Sequence, residues 1–154
     1  MIKYANNEKI YRNLRNVFPM PYIKEDGKLF LEIVGNTPNK EEFVRAIDWE
    51  GEAVGTISLL RESDIYSLCG EAGYWLGEPF WGEGIMTKAL KDIVAYGFET
   101  MGLVRIWAEV FAFNKGSARV LEKVGFLKEA TLKSRIFKNG VVSDSYIYAI
   151  VKEK

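Results

Sequence analysis

Residues 73–90 read "GYWLGEPFWGEGIMTKAL". The first four residues suit a strand, the last run suits a helix, and Gly82 and Gly84 stand between them. A glycine pair in that position has anion-binding geometry. A helix start offers unpaired N–H groups and the positive end of the helix dipole, and glycine lets an anion approach the backbone without meeting a Cβ. The alternative is that the glycines serve only a tight strand-to-helix turn. A Walker loop would need Gly-Lys-Ser/Thr, and Gly84 is followed by Ile85 and Met86. A Rossmann fingerprint would want Gly or Ala where Thr87 stands, and too few strand-helix units follow.

Beyond the glycines, Ile85, Ala89, Leu90, Ile93, Val94, Gly97 and Met101 recur at helical spacing and predict a helix of about four turns packed on a sheet. Upstream, "EEFVRAIDWEGEAVGTISLL" gives two β-prone runs around Glu50-Gly51-Glu52, a predicted hairpin, and residues 71–76 form a further short strand. Downstream, "VRIWAEVFAF" alternates Val104, Ile106, Ala108 and Val110 with Arg105, Trp107, Glu109 and Phe111, a strand by period. "NKGSARVLEKVGF" follows as a short helix entered at Asn114 and left at Gly125. "KNG" at 138–140 then folds the tail into a second hairpin. Residues 3–16 are polar and predict one helix, ended by "FPMPY" at 18–22, and residues 18–40 read as loops of unfixed shape. The expectation is one α+β domain over 1–154.

Composition narrows the chemistry. The 154 residues are 48% hydrophobic and 14% aromatic, enough for a sizeable core, and 21 basic residues balance 21 acidic ones. That balance lacks the broad basic field of a sequence-independent nucleic-acid binder. A single cysteine, Cys69, forbids an internal disulfide. No apolar run approaches the ~20 residues of a membrane span, and no secretory signal is evident. The expected setting is cytoplasmic, with no membrane and no nucleic acid as partner. The chain has no histidine, which removes Ser-His and Cys-His catalysis and the commonest transition-metal ligand. No metal site is expected.

The order of these pieces resembles the GNAT superfamily of acyl-CoA-dependent N-acetyltransferases. The variant it looks most like is the ribosomal-protein N-terminal (alanine/serine) acetyltransferase branch, which combines "GYWL" before a "WGxGxxT" loop with a later "NxxSxxVLEKxGF" helix. Those pieces stand here at Gly73–Leu76, Trp81–Thr87 and Asn114–Phe126. The resemblance implies a mixed, mostly antiparallel central sheet flanked by helices, acetyl-CoA or coenzyme A as cosubstrate, and an amine acceptor that is a protein N-terminus or a small molecule. It further implies that the backbone around Gly82, Gly84, Ile85, Met86 and Thr87 holds the coenzyme pyrophosphate. Trp75 and Leu76 would pair with pantetheine amides where the sheet splays beside "VRIWAEV", and Asn114 would contact the pantetheine region.

Glu71 resembles the strand carboxylate some members use as base, against the alternative of an exposed strand-end charge. A backbone N–H near Leu76 would hold the developing oxyanion. Many relatives place a proton-donating tyrosine where this chain has Leu121, and Ser117 becomes the matching candidate, against the alternative of a helix-start cap. Pro79 stands where many members carry Gln or Arg. Members also open with a strand bearing an "LR" signature, whereas this chain starts at "MIKYANNEKIYRNLRNVF". Without that strand, residues 43–49 become a sheet edge, which implies self-association, with a homodimer as the expected form. Two rival readings stay open: an acyl-CoA-binding protein on the same scaffold without turnover, and a purely structural module.

Overall fold

The structure is a computed structural model and describes residues 1–38 and 40–153. Six strands form one sheet in the order β1-β2-β3-β4-β6-β5. β1 (Glu42–Trp49) and β2 (Glu52–Arg61) make the first hairpin, and β3 (Cys69–Leu76) lies antiparallel to β2. β4 (Arg105–Phe111) runs parallel to β3, and β5 (Leu127–Lys138) with β6 (Val141–Val151) makes the second hairpin, turning at Asn139-Gly140. Both hairpins fall where turn residues interrupt β-prone runs.

α4 (Ile85–Glu99) and α5 (Lys115–Val124) cover one face of the sheet. α4 buries Met86, Leu90, Ile93, Val94 and Gly97, the stripe its spacing predicts, and Leu59, Leu103, Ile106, Leu121 and Phe126 complete the core beneath it. Leu121, where the resemblance implies a proton-donating tyrosine, is fully buried there.

The N-terminal part differs from the sequence expectation. Residues 3–16 form two short helices, α1 (Ile2–Ala5) and α2 (Glu8–Tyr11), instead of one. The cause lies in two asparagines. Asn6 exchanges hydrogen bonds with the Tyr22 backbone at 2.7 Å in both directions, and Asn7 Oδ1 accepts from Lys9 N at 2.8 Å as the cap of α2. Asparagine side chains that bond backbone groups compete with the helical ladder. Residues 24–36, expected as loop, form helix α3 (Lys24–Asn36), in which Asp26 Oδ2 accepts from Ile23 N at 2.8 Å. Of its residues only Gly27 is buried, and Leu29, Leu31 and Ile33 stay exposed.

The decisive feature is a split in the sheet. β3 and β4 are joined over three residue pairs, ending at Glu71↔Trp107, and then part. Bonds Gly77 N→Val54 O and Glu62 N→Cys69 O show that the odd residues of β3 point their backbone groups at β2. By strand alternation those of Tyr74 and Leu76 point into the gap left by β4.

Candidate active site

Gly82 and Gly84 sit in the exposed loop that opens α4, with φ of 86° and 76°. The left-handed backbone alone favours glycine. A second reason is space, because a Cβ built at either position meets no protein atom within 4 Å. The cradle is therefore open to solvent above a helix start. The first helical bond from the loop is Lys88 N→Gly84 O, so the N–H groups of Ile85, Met86 and Thr87 precede the ladder, and no side chain caps them at Gly84. These groups fit an anionic diphosphate.

The gap between β3 and β4 begins beside this loop. Leu76 sends its N–H and C=O into it, and Trp81 Nε1 donates to Leu76 O at 2.7 Å, which fixes the loop to the strand end. The Trp75 backbone faces β2 instead, opposite Thr56, so it is not available to a ligand in the gap. Tyr74 takes that place beside Leu76. Here the sequence expectation for Trp75 is corrected by register.

The two faces of the gap carry different chemistry. On the α5 face, the Ser117 hydroxyl lies 2.8 Å from the Tyr74 hydroxyl. Asn114 Oδ1 accepts from Ser117 N at 3.1 Å and is the helix cap, which frees the serine hydroxyl from that duty. Burial pushes the Tyr74 phenol up to about 12, while the Ser117 hydrogen bond pulls it the other way. Tyr74 thus stays protonated across the neutral range. It was not singled out from the sequence, because a tyrosine in a strand motif reads as core until its partner on a distant helix is known.

On the opposite face stand Glu71 and Trp107, paired in register, with Glu109 two residues further along β4 on the same side. Glu71 is 23% exposed and its Oε1 accepts from Arg15 Nη2 in an ion pair. Glu109 is 18% exposed, accepts from the buried Ser145 hydroxyl at 2.5 Å, and lies 3.7 Å from Arg135 Nε. Sequence reading placed Glu109 only on a strand face. Its alternation with Trp107 and Phe111 was the available signal.

A cleft of about 440 Å³ opens over this second face, with Arg15, Trp107, Glu109, Phe111, Arg135 and Lys138 among its walls. Lys138 Nζ donates to Tyr11 O and Leu14 O and sits 3.8 Å above the Tyr11 ring, and burial pulls its ammonium below the ordinary lysine value. It ties the second hairpin to the segment after α2. Among the described residues no group of three His, Cys, Asp or Glu could hold a metal ion, and no helix is long and apolar enough to cross a membrane.

Residues 1–127 match the family model described as acetyltransferase (GNAT) domain. Among curated proteins, the chain is 35% identical over 115 residues to the uncharacterized N-acetyltransferase YoaA of Bacillus subtilis, covering 71% of this chain and 65% of that protein. It is 32% identical over 100 residues to the ribosomal-protein-serine acetyltransferase of Escherichia coli, covering 65% of this chain and 55% of that protein. The matched region spans 54–65% of the length of three Bacillus subtilis N-acetyltransferases. The ribosomal-protein-S5-alanine acetyltransferase of Vibrio fischeri superposes with a TM-score of 0.80 at 26% identity, over 97% of this chain and 85% of that one. The family model spans residues 1–127 and the six-stranded sheet superposes on such a structure, so the chain belongs to the GNAT acetyltransferase family.

Proposed function

We propose that the protein transfers an acetyl group from acetyl-CoA to a primary amine, a protein N-terminus or a small molecule, by direct attack in a ternary complex. The observation that carries this reading is the split between β3 and β4, which puts a hydroxyl pair on one face and carboxylates on the other. Bound acetyl-CoA supplies an activated acyl thioester. The protein does the rest with its own groups.

The N–H groups from Gly82 to Thr87 hold the pyrophosphate, with Gly82 and Gly84 leaving room for it. Tyr74 and Leu76 offer backbone groups to the pantetheine arm as a partner strand would, and the Leu76 N–H is aimed where negative charge develops on the acetyl oxygen. Asn114 keeps Oδ1 on its cap and turns its amide nitrogen to the same arm. Glu71 takes the proton of the attacking amine, directly or through water, once the incoming amine shares it with Arg15. The Ser117 hydroxyl, backed by Tyr74, donates toward the departing sulfur. A cytoplasmic setting suits both the acetyl donor and the lone cysteine.

Thiol release measured with acetyl-CoA and an amine panel tests the reading. Amine-dependent release is the expected result. Coenzyme binding with no amine-dependent release at any pH would instead support an acyl-CoA-binding protein without turnover.

We also infer self-association through β1, which pairs only with β2 among the described residues. The bond Arg61 N→Glu41 O sets the odd residues of β1 against β2, so Val44 and Ala46 point their backbone groups outward. Arg45 blunts the edge by donating to Val44 O at 2.7 Å, but among the described residues no strand pairs with the outward Ala46 N–H, which can recruit a second strand. Ala46→Pro removes that donor without breaking the ladder, and is expected to weaken association in analytical ultracentrifugation. A parent that stays monomeric at high concentration refutes it.

A further inference from the structure

The cleft over the outer face is layered by charge. Its floor carries Glu109, 18% exposed, its rim carries Arg15 and Arg135, 68% and 61% exposed, and Glu71, 23% exposed, adjoins it as the partner of Arg15. Lys138 does not join the rim, because its ammonium is spent on Tyr11 O and Leu14 O. The two acids stand on neighbouring strands, offset by two residues along the strand direction and by one strand spacing, roughly 8 Å apart, so an amine and a nearby group of the same acceptor span them. Each rim guanidinium now faces one of these carboxylates.

Arg135 is not placed there by chance of a long side chain. β5 loses register with β6 between Leu132 and Ile136, and Ser134 within that break has φ of 50°. Asp144 secures the break by accepting from Ser134 N and from Lys133 Nζ, each at 2.9 Å. Its carboxyl is held below the ordinary range, chiefly by Lys133 and then by the Ser134 N–H. A bulge of this kind re-aims a side chain, and the one it delivers toward Glu109 is Arg135.

We propose that the cleft selects acceptor amines that carry an anionic group beside the amine, foremost the amino terminus of an acidic peptide, with Arg135 and Arg15 as its anion contacts. This rests on the acetyl-transfer reading above. An entering ammonium takes over one of the two carboxylates and the acceptor's own carboxylate takes over the released guanidinium, so every charge keeps a partner. A polyamine cannot make that exchange. Its second ammonium meets two guanidiniums at the rim, and a like-charge contact discriminates as strongly as an attractive one.

The test uses the full chain saturated with coenzyme A and two peptides, Ser-Glu-Glu-Ala amide and Ser-Lys-Lys-Ala amide, with spermidine and free glutamate as further ligands. Binding is read from tryptophan fluorescence and acetylation separately from thiol release. The acidic peptide is expected to bind about tenfold more tightly than the basic one, and Arg135→Glu to erase or invert that ratio while coenzyme affinity holds. Glutamate matching the acidic peptide would keep the anionic class and point to a small-molecule source. Equal binding of the two peptides, preference for spermidine, or a ratio unmoved by Arg135→Glu overturns the proposal. Selective binding of the acidic peptide with no acetylation would uphold it and refute the transferase reading instead.

Discussion

Gly84→Val is expected to abolish useful coenzyme binding while leaving the fold intact. At φ 76° a β-branched residue is strained, by roughly 1–3 kcal/mol, and the loop must either keep that strain or turn its N–H groups away from the anion. The branched side chain also projects into space that no protein atom fills within 4 Å. Together these predict coenzyme affinity weakened by about two orders of magnitude, since each 1.4 kcal/mol is a factor of ten. Gly84→Ala brings the strain with a smaller obstruction and falls between parent and valine. Calorimetry on variants whose circular dichroism matches the parent is the check. Unchanged affinity in a folded Gly84→Val protein would move the diphosphate away from this loop.

Replacing Glu71 with Gln is the second large effect. Glutamine keeps the shape of the side chain but cannot take a proton, and losses of general-base catalysis run to about 10²–10⁴-fold. The deficit should be greatest at low pH, where the acceptor amine is mainly protonated and most needs a base. Were Glu71 only the partner of an exposed Arg15, its contribution would be the small one of a surface ion pair. The pH–rate profile of Glu71→Gln would then overlay that of the parent. Ser117→Ala and Tyr74→Phe should lower turnover without reshaping that acid limb, because Tyr74 titrates near 12. The folded value lies above the ~10 of an unfolded tyrosine, so the neutral phenol stabilises the fold below pH 10. That contribution is lost as pH rises from about 10 toward 12.

The parts legible in the sequence were those whose cause is local. Gly82 and Gly84 announce a strand-to-helix turn, the stripe from Ile85 to Gly97 announces its own buried face, and Asn114 caps a helix that Gly125 ends. The edge position of β1 was expected only through the family resemblance, not from any local pattern, and among the described residues β1 pairs with β2 alone. What stayed hidden depends on residues far apart. Asn6 breaks a helix by bonding Tyr22, Arg15 reaches Glu71, Tyr74 finds Ser117, and a bulge in β5 turns Arg135 toward Glu109. None of these pairs has a periodicity to betray it. The direction of the Trp75 backbone was equally invisible, since it follows from which β2 residue stands opposite.

The parted strands also shape how the molecule responds to load. β1-β2-β3 and β4-β6-β5 are two antiparallel blocks, each internally laddered over seven or more residue pairs, and they meet over three. Twisting one block against the other is thus the softest deformation the sheet allows, and it is resisted mainly by α4 and α5 packed across the joint. A ligand that fills the parting with its own amides works as a keystone. It adds rungs where the protein has none, so its binding energy is returned as folding stability, about 2.7 kcal/mol at a hundredfold excess over its dissociation constant.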